Sequence, residues 1–241
     1  MEFPAQQSDI IGRKQEGTGQ WFLSATEFLD WLGQPRSILF CPGIPGAGKT
    51  MIAAIAIDYL LNTVQDSNVG VAYVYCNYKA QGEQNTTSLL AAVLKQLVQM
   101  RPSTIEPVEQ LRRTHTNKGT KPSLENIFGA LQSVLMEFST VYIVVDALDE
   151  CQDSDGTRRQ FLAQLQVLQV GSDLRLMITS RFIPDLVNRL REALTLEVRA
   201  NNEDVRRFIA GQFYRLPNCI QRDTALQDIV QDKVTEAVDG M

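Results

Sequence analysis

From about residue 37 to residue 200 the chain alternates β-branched, apolar runs with longer helical patterns. That alternation predicts an α/β domain: a doubly wound, mostly parallel sheet with helices on both faces. Two further observations narrow the class. A glycine-rich loop joins the first apolar run to a long helix, and a later apolar run ends in an aspartate with two more acids close behind. After about residue 200 the pattern is helical only and reads as the start of a further helical subdomain.

Residues 1–19 are polar, carry a "GTG" at 17–19, and read as a tail or extended lead-in. In "WFLSATEFLDWL", Ser24 and Glu27 have capping-box spacing, which predicts a short helix over 25–32. "SILFC" (37–41) is a short buried strand. The run from Lys49, "KTMIAAIAIDYLLNTV", is a buried helix, and "VGVAYVYC" (69–76) a strand. "NTTSLLAAVLKQLVQM" is a helix that stops at Arg101-Pro102. Residues 105–121 are polar and weakly patterned. "SLENIFGALQSVLMEF" (123–138) is a helix capped by Ser123, and "VYIVVD" (141–146) a strand. "RRQFLAQLQVL" is a helix, "DLRLMITSR" (173–181) a strand, "PDLVNRLREAL" a helix and "TLEV" (195–198) a short strand. "NEDVRRFIAGQF" and "ALQDIVQDKVTEAV" are the closing helices. The expected organisation is a lead-in over 1–19, an α/β domain over 20–200, and part of a helical subdomain over 201–241.

The chain has 241 residues, 44% hydrophobic and 21% charged, which is ordinary globular material with enough length for a real core. A net charge of −5 argues against a polyanion-binding surface, so nucleic acid is not an expected partner. The four cysteines form no C-x-x-C pair and there is one histidine, which argues against structural zinc. Dispersed cysteines of this kind read as reduced residues in or near a core and fit a cytoplasmic location. The N-terminus lacks an apolar signal region and no apolar run is long enough to span a membrane.

"GIPGAGKT" (43–50) satisfies G-x-x-x-x-G-K-[ST]. Average glycine usage makes that roughly a one-in-a-hundred coincidence in a chain this long. Its position between a strand and a helix start is the context that gives it meaning. Gly43, Gly46 and Gly48 let the backbone turn its N–H groups inward, and the helix N-terminus adds partial positive charge. Lys49 would reach the β and γ phosphates, and the Thr50 hydroxyl would ligate Mg2+. Pro45, Ala47 and Met51 complete the expected phosphate-binding run.

Asp146 ends its strand at the position from which, on a neighbouring strand, a P-loop protein holds its magnesium ion. Asp149 and Glu150, just beyond, are candidates to orient or deprotonate an attacking water, Asp149 the first of the two. The alternative for that pair is a solvated turn or helix cap. "LMITSR" brings Thr179, Ser180 and Arg181 to the carboxyl end of the next strand, the edge where open α/β sheets bind ligands. Arg181 there could sense a γ-phosphate.

Taken together, "GTGQWFL", "FCPGIPGAGKT", "VVDALDEC" and "ITSR" resemble the NACHT-type, or nephrocystin-3-like N-terminal, NTPase module of the STAND class, common in fungal proteins that continue into ankyrin or WD repeats. The resemblance runs from about residue 16 to 241. A small residue after the magnesium aspartate, here Ala147, with an acid at position 149, is that family's form of the acidic motif. The resemblance implies Lys49 and Thr50 at phosphate and magnesium, Asp146 behind the magnesium, Asp149 and Glu150 in hydrolysis, and Arg181 as sensor. It implies contacts near the base from residues around Thr18 and Trp21, with Trp21 equally readable as core. It also implies ATP or GTP with Mg2+, and homo-oligomers or other signalling domains as partners. Members of the family usually carry an effector before this module and a winged helix after it. With neither here, the expectation is an excised or truncated module with an exposed apolar face at "TEAVDGM".

Three functions follow from these residues: a slow nucleotide switch, a non-catalytic scaffold held by nucleotide, and a small-molecule kinase with residues 105–121, including Arg112 and Arg113, as a lid. "DALDE" argues against the kinase, which needs no water-activating pair. "TNKGT" (116–120) lacks the aspartate of the guanine-selecting N-K-x-D pattern and does not decide the base. Arg158, Arg159 and Arg191 lie on expected helices beside the nucleotide-bearing edge and are candidates for a subunit-borne arginine.

Overall fold

The computed structural model describes residues 2–64 and 66–238, without the side chains of Asn117 and Lys118, so those two side chains of the "TNKGT" segment lie outside it. Among the described residues five parallel strands form one sheet in the order β2-β3-β4-β1-β5. They are β1 (Ile38–Pro42), β2 (Val69–Tyr75), β3 (Thr140–Asp146), β4 (Leu174–Ser180) and β5 (Leu194–Thr195). The helices are α1 (Phe3–Ile11), α2 (Gln20–Leu23), α3 (Thr26–Gly33), α4 (Lys49–Thr63), α5 (Thr86–Met100), α6 (Glu106–Lys118), α7 (Leu124–Leu135), α8 (Thr157–Gly171), α9 (Pro184–Arg189), α10 (Asn202–Gln212), α11 (Asn218–Gln221) and α12 (Thr224–Val238).

β3 and β4 read as near-continuous apolar runs because parallel strands covered by helices bury both faces. All seven residues of β4 are buried, and six of the seven in β3. α4 is apolar around most of its circumference and buries Ile52 through Ile57 without a break, as a helix enclosed by the core must. α7 begins at a capping box in which the Ser123 hydroxyl accepts from the Asn126 N–H and the Asn126 side chain accepts from the Ser123 N–H.

The strand order corrects one expectation. The strand ending in Asp146 is not beside the strand that feeds the glycine-rich loop, because β4 lies between them. Pairing of Pro42 with Ser180 and of Val145 with Ile178 makes the three strands end level. The carboxyl end of β4 thereby falls between the loop and the aspartate.

Four local expectations also change. Part of the supposed lead-in forms α1, whose buried Phe3 and Gln7 lie one turn apart on one face. Gln7 donates to the Ala54 carbonyl at 3.0 Å and accepts from the Tyr75 hydroxyl. One of its two buried positions is polar, so α1 carries no apolar period, and only Pro4 in its first turn marks the start. Ser24 caps nothing, since its hydroxyl turns back to the Gln20 carbonyl at 2.8 Å and α3 starts without a side-chain cap. Residues 106–118 form α6, opened by Pro107 and closed by Gly119 in the left-handed conformation. The fourth cysteine, Cys219, is exposed, whereas Cys41, Cys76 and Cys151 are buried. No helix among the described residues is long and apolar enough to cross a membrane.

Because Gln7 satisfies two buried polar groups at once, Gln7→Ala is expected to cost about 2 kcal/mol. Melting should drop by about 4–8 °C, read by thermal denaturation. An unchanged melting temperature would mean that α1 does not dock.

Candidate functional site

The glycine-rich loop leaves β1 under two backbone constraints. A Cβ on Gly43 would stand 2.4 Å from the Val198 carbonyl oxygen, so the loop passes too close to the β5 extension for any side chain. Gly48, the residue before α4, has φ of +91°, which L side chains rarely adopt. The Gly43 N–H donates to the Ser180 carbonyl at 3.1 Å, fastening the loop to β4. Lys49 folds back over the loop, its ammonium donating to the Gly43 and Ile44 carbonyls, each at 2.8 Å. An ammonium has three N–H donors, so one is left for an incoming anion. Burial lowers the Lys49 pKa, and the carboxylates of Asp149 and Asp146 oppose that shift.

Asp146 is 3% exposed at the end of β3. Burial raises its pKa from the ordinary 3.8 to about 6, against the hydroxyls of Thr179 and Thr50, which hold it down. Thr179, itself fully buried on β4, donates to the Asp146 Oδ1 at 2.6 Å. The same hydroxyl accepts from the Ala147 N–H at 2.9 Å. Ala147 has φ of +53°, an uncommon left-handed conformation for a residue with a Cβ. The Thr179 bond holds that turn, and the turn sends residues 148–150 across the end of β4.

The two acids beyond Asp146 are held differently. The Asp149 side chain is 2% exposed and grips Arg181: Oδ2 accepts from Nε at 2.5 Å and Oδ1 from the backbone N–H at 3.0 Å. Both its oxygens are therefore engaged. Glu150 Oε2 accepts only from the Tyr78 N–H, at 3.2 Å, while its carbonyl accepts from Gln81 Nε2 at 3.0 Å. Arg181 is half-exposed, and Asp149 raises its pKa further.

These groups surround an open cavity of about 590 Å3, lined by Pro45, Gly46, Gly48, Lys49, Thr50, Met51, Tyr78, Gln81, Ala147, Asp149, Glu150 and Arg181. Of the expected phosphate-binding residues, Gly43 and Ala47 do not line it. Gly43 supplies a carbonyl to Lys49 and Ala47 faces a second cavity. Asp146 lies just behind the Ala147 wall. Its carboxylate and the Thr50 hydroxyl are hard oxygen donors suited to Mg2+, and a buried carboxylate held partly ionised is a fitting partner for a divalent cation. The second cavity, about 580 Å3, continues from Gly46, Gly48 and Met51 to Thr18, Gly19 and Trp21 on one side and to α10 and α12 on the other. Trp21 is half-buried at its wall, while Phe22 and Trp31 are the core aromatics of that region.

Sequence reasoning did not find Tyr78 or Gln81, which no motif marks, and it named Thr179 without its bond to Asp146. Among the described residues of 105–121, Arg112 and Arg113 included, none lines the first cavity. Arg158 is 6% exposed and bound to Asp153 at 2.8 Å, which removes it as an arginine offered to a neighbour. Arg159 and Arg191 remain on the surface.

Comparison with known proteins agrees with the fold. The profile of the family described as "Nephrocystin 3, N-terminal" matches residues 17–181. The Vegetative incompatibility protein HET-E-1 of Podospora anserina is 24% identical over 235 residues, which cover 91% of this chain and 17% of that protein. The chain thus spans about a sixth of this relative's length. Among solved structures, the Walker-type ATPase PABY2304 of Pyrococcus abyssi has a TM-score of 0.53 at 14% identity, covering 94% of this chain and 64% of its own. The ORC1 protein of Aeropyrum pernix, solved in complex with DNA, has a TM-score of 0.53 at 16% identity, covering 80% and 48%. At these identities the two structural likenesses are likenesses of fold.

The raised Asp146 pKa has a measurable consequence without nucleotide or metal. Well below the ordinary value of 3.8 the carboxyl is protonated in the folded and unfolded chain alike and costs nothing. Above its folded value of about 6 it is ionised in both, and burial then destabilises the fold by about 3 kcal/mol. Asp146→Asn keeps an acceptor for Thr179 and removes the charge. The variant should melt several degrees higher than wild type at pH 7.5, with the gap closing towards pH 4. Melting curves across that range check it, and equal curves at pH 7.5 would contradict it.

Proposed function

Because this chain belongs to the Nephrocystin 3 N-terminal family of P-loop nucleotide-binding modules, we propose that it is a nucleotide switch of the STAND type. It binds ATP or GTP with Mg2+, hydrolyses it slowly, and couples nucleotide state to assembly with copies of itself or with further signalling domains. The observation that carries this reading is the convergence of Lys49, Thr50, Asp149, Glu150 and Arg181 on one cavity, with Asp146 directly behind it.

The backbone N–H groups of residues 46–50 and the free Lys49 donor would take the β and γ phosphates. Thr50 and Asp146 would hold Mg2+, which would supply positive charge to offset that of the phosphates. Glu150, the acid with a spare carboxylate oxygen, would orient the attacking water. Arg181 would meet the γ-phosphate. A phosphate that draws Arg181 away frees Asp149, so the pair exchanges partners as the nucleotide changes. The second cavity would take the base and ribose between residues 18–21 and α10.

The engagement of both Asp149 oxygens by Arg181 also supports a second reading, in which nucleotide is bound without turnover and stabilises a scaffold by mass action. Substitutions separate the two. Lys49→Ala should abolish tight nucleotide binding, and unchanged affinity by calorimetry would sink the phosphate-site assignment. Glu150→Gln should keep affinity within about threefold and lower single-turnover hydrolysis by about a hundredfold. A wild-type chain that binds but shows no hydrolysis above the Glu150→Gln rate favours the scaffold. Asp149→Asn should likewise keep binding and slow turnover, with Arg181 then more exposed to modification by phenylglyoxal.

A further inference from the structure

Residues 15–21 and α10 approach each other across the mouth of the second cavity. The Asp204 Oδ2 accepts from the Gly19 N–H at 2.8 Å and from the Trp21 indole N–H at 3.1 Å. One turn further along α10, the Arg207 guanidinium donates to the Gly17 carbonyl. At the far end of the helix the Gln15 side chain lies over Gly211, where any Cβ would stand 2.0 Å from its Oε1. Gly17 and Gly19 both have positive φ, and a Cβ on Gly19 would stand 2.4 Å from Ile55 of α4. The segment is thus pressed against α4 on one side and bonded to α10 on the other.

Among the described residues, these are the side-chain hydrogen bonds that join α10–α12 to the rest of the chain. Two of the three fall on one carboxylate. Asp204 is half-buried, its own N–H is capped by Asn201, and it lines the second cavity. The rest of the lining is mostly apolar, with Ile52, Ile55, Val205 and Phe208, beside the polar residues Thr18, Arg199 and Asn201. Neither Gly19 nor Trp21 is otherwise tied to the helices after residue 200. Remove the carboxylate and both N–H groups lose their acceptor, and the two walls lose their main polar link.

We propose that Asp204 is a positioning residue for nucleotide recognition: by holding Gly19 and Trp21 to α10 it builds the pocket for the base and ribose, and it takes no part in phosphate binding. The proposal rests on the assignment of the second cavity to the base. Its chemistry is charge-assisted hydrogen bonding to one backbone and one indole donor, which is stronger than a neutral pair. It makes the helices after residue 200 sense the nucleoside, while the loop at 43–50 senses the phosphates.

The test compares inorganic tripolyphosphate with ATP and GTP, each with Mg2+, by calorimetry on wild type, Asp204→Ala, Asp204→Asn and Lys49→Ala. Wild type should bind its preferred nucleotide more tightly than tripolyphosphate. Asp204→Ala should lose about tenfold in nucleotide affinity and keep tripolyphosphate affinity within about twofold. Asp204→Asn, which keeps an acceptor oxygen and the volume, should recover part of the loss and serves if the alanine variant does not fold. Lys49→Ala should lose both ligands. Equal losses for nucleotide and tripolyphosphate, or no loss for either, in the Asp204 variants would overturn the proposal. Wild type that binds tripolyphosphate as tightly as nucleotide would instead overturn the base-pocket assignment, and the proposal with it.

Discussion

A carboxylate buried at a strand end is costly unless something donates to it, and the hydroxyl of Thr179 is what donates to Asp146. That one bond joins two strands at the functional edge, and the same hydroxyl accepts from the Ala147 N–H, fixing a left-handed turn that a residue with a Cβ seldom adopts. The turn in turn lays Leu148 into the core and brings Asp149 beneath Arg181 and Glu150 beside Tyr78. Without β4 between β1 and β3 there would be no threonine in that place. The acidic motif is therefore organised by a strand that shares no sequence neighbourhood with it.

The core supports this arrangement by being dry and continuous. α4, α5 and α7 cover the strands with Ile, Leu, Val and Ala, and the carboxyl edge is left as the place where polar side chains gather. Asp149 and Arg181 satisfy each other in that setting, one almost wholly covered and the other half in solvent. Such a pair is held by geometry more than by net energy, because desolvation of the acid offsets much of the attraction. It is consequently a partner that a stronger anion can displace.

The sequence made much of this legible. Hydrophobic runs over β1–β4 and the periodic helices α4, α5 and α7 announced themselves because burial on both faces leaves long apolar stretches. The loop at 43–50 was legible because its glycines answer backbone requirements that other residues do not meet. α1 was not legible, since its docking relies on Gln7 and not on an apolar stripe. α6 was not, since its strongly polar composition leaves only a narrow apolar face at Val108 and Leu111. The strand order was hidden because nothing local tells β3 that β4 will come between it and β1. Asp204 was hidden for the same reason, its partners being 185 and 183 positions away.

That strand order also has a consequence in time. β2 and β3 pair with each other, but among the described residues β1 pairs only with β4 and β5. During synthesis from the N-terminus, β1 emerges before β2 and β3 and then waits, without a ladder partner, until more than a hundred further residues have been made. The loop that follows it hangs from a strand that is not yet in the sheet. The loop at 43–50 thus gains the support of a strand ladder only after β4 has been made.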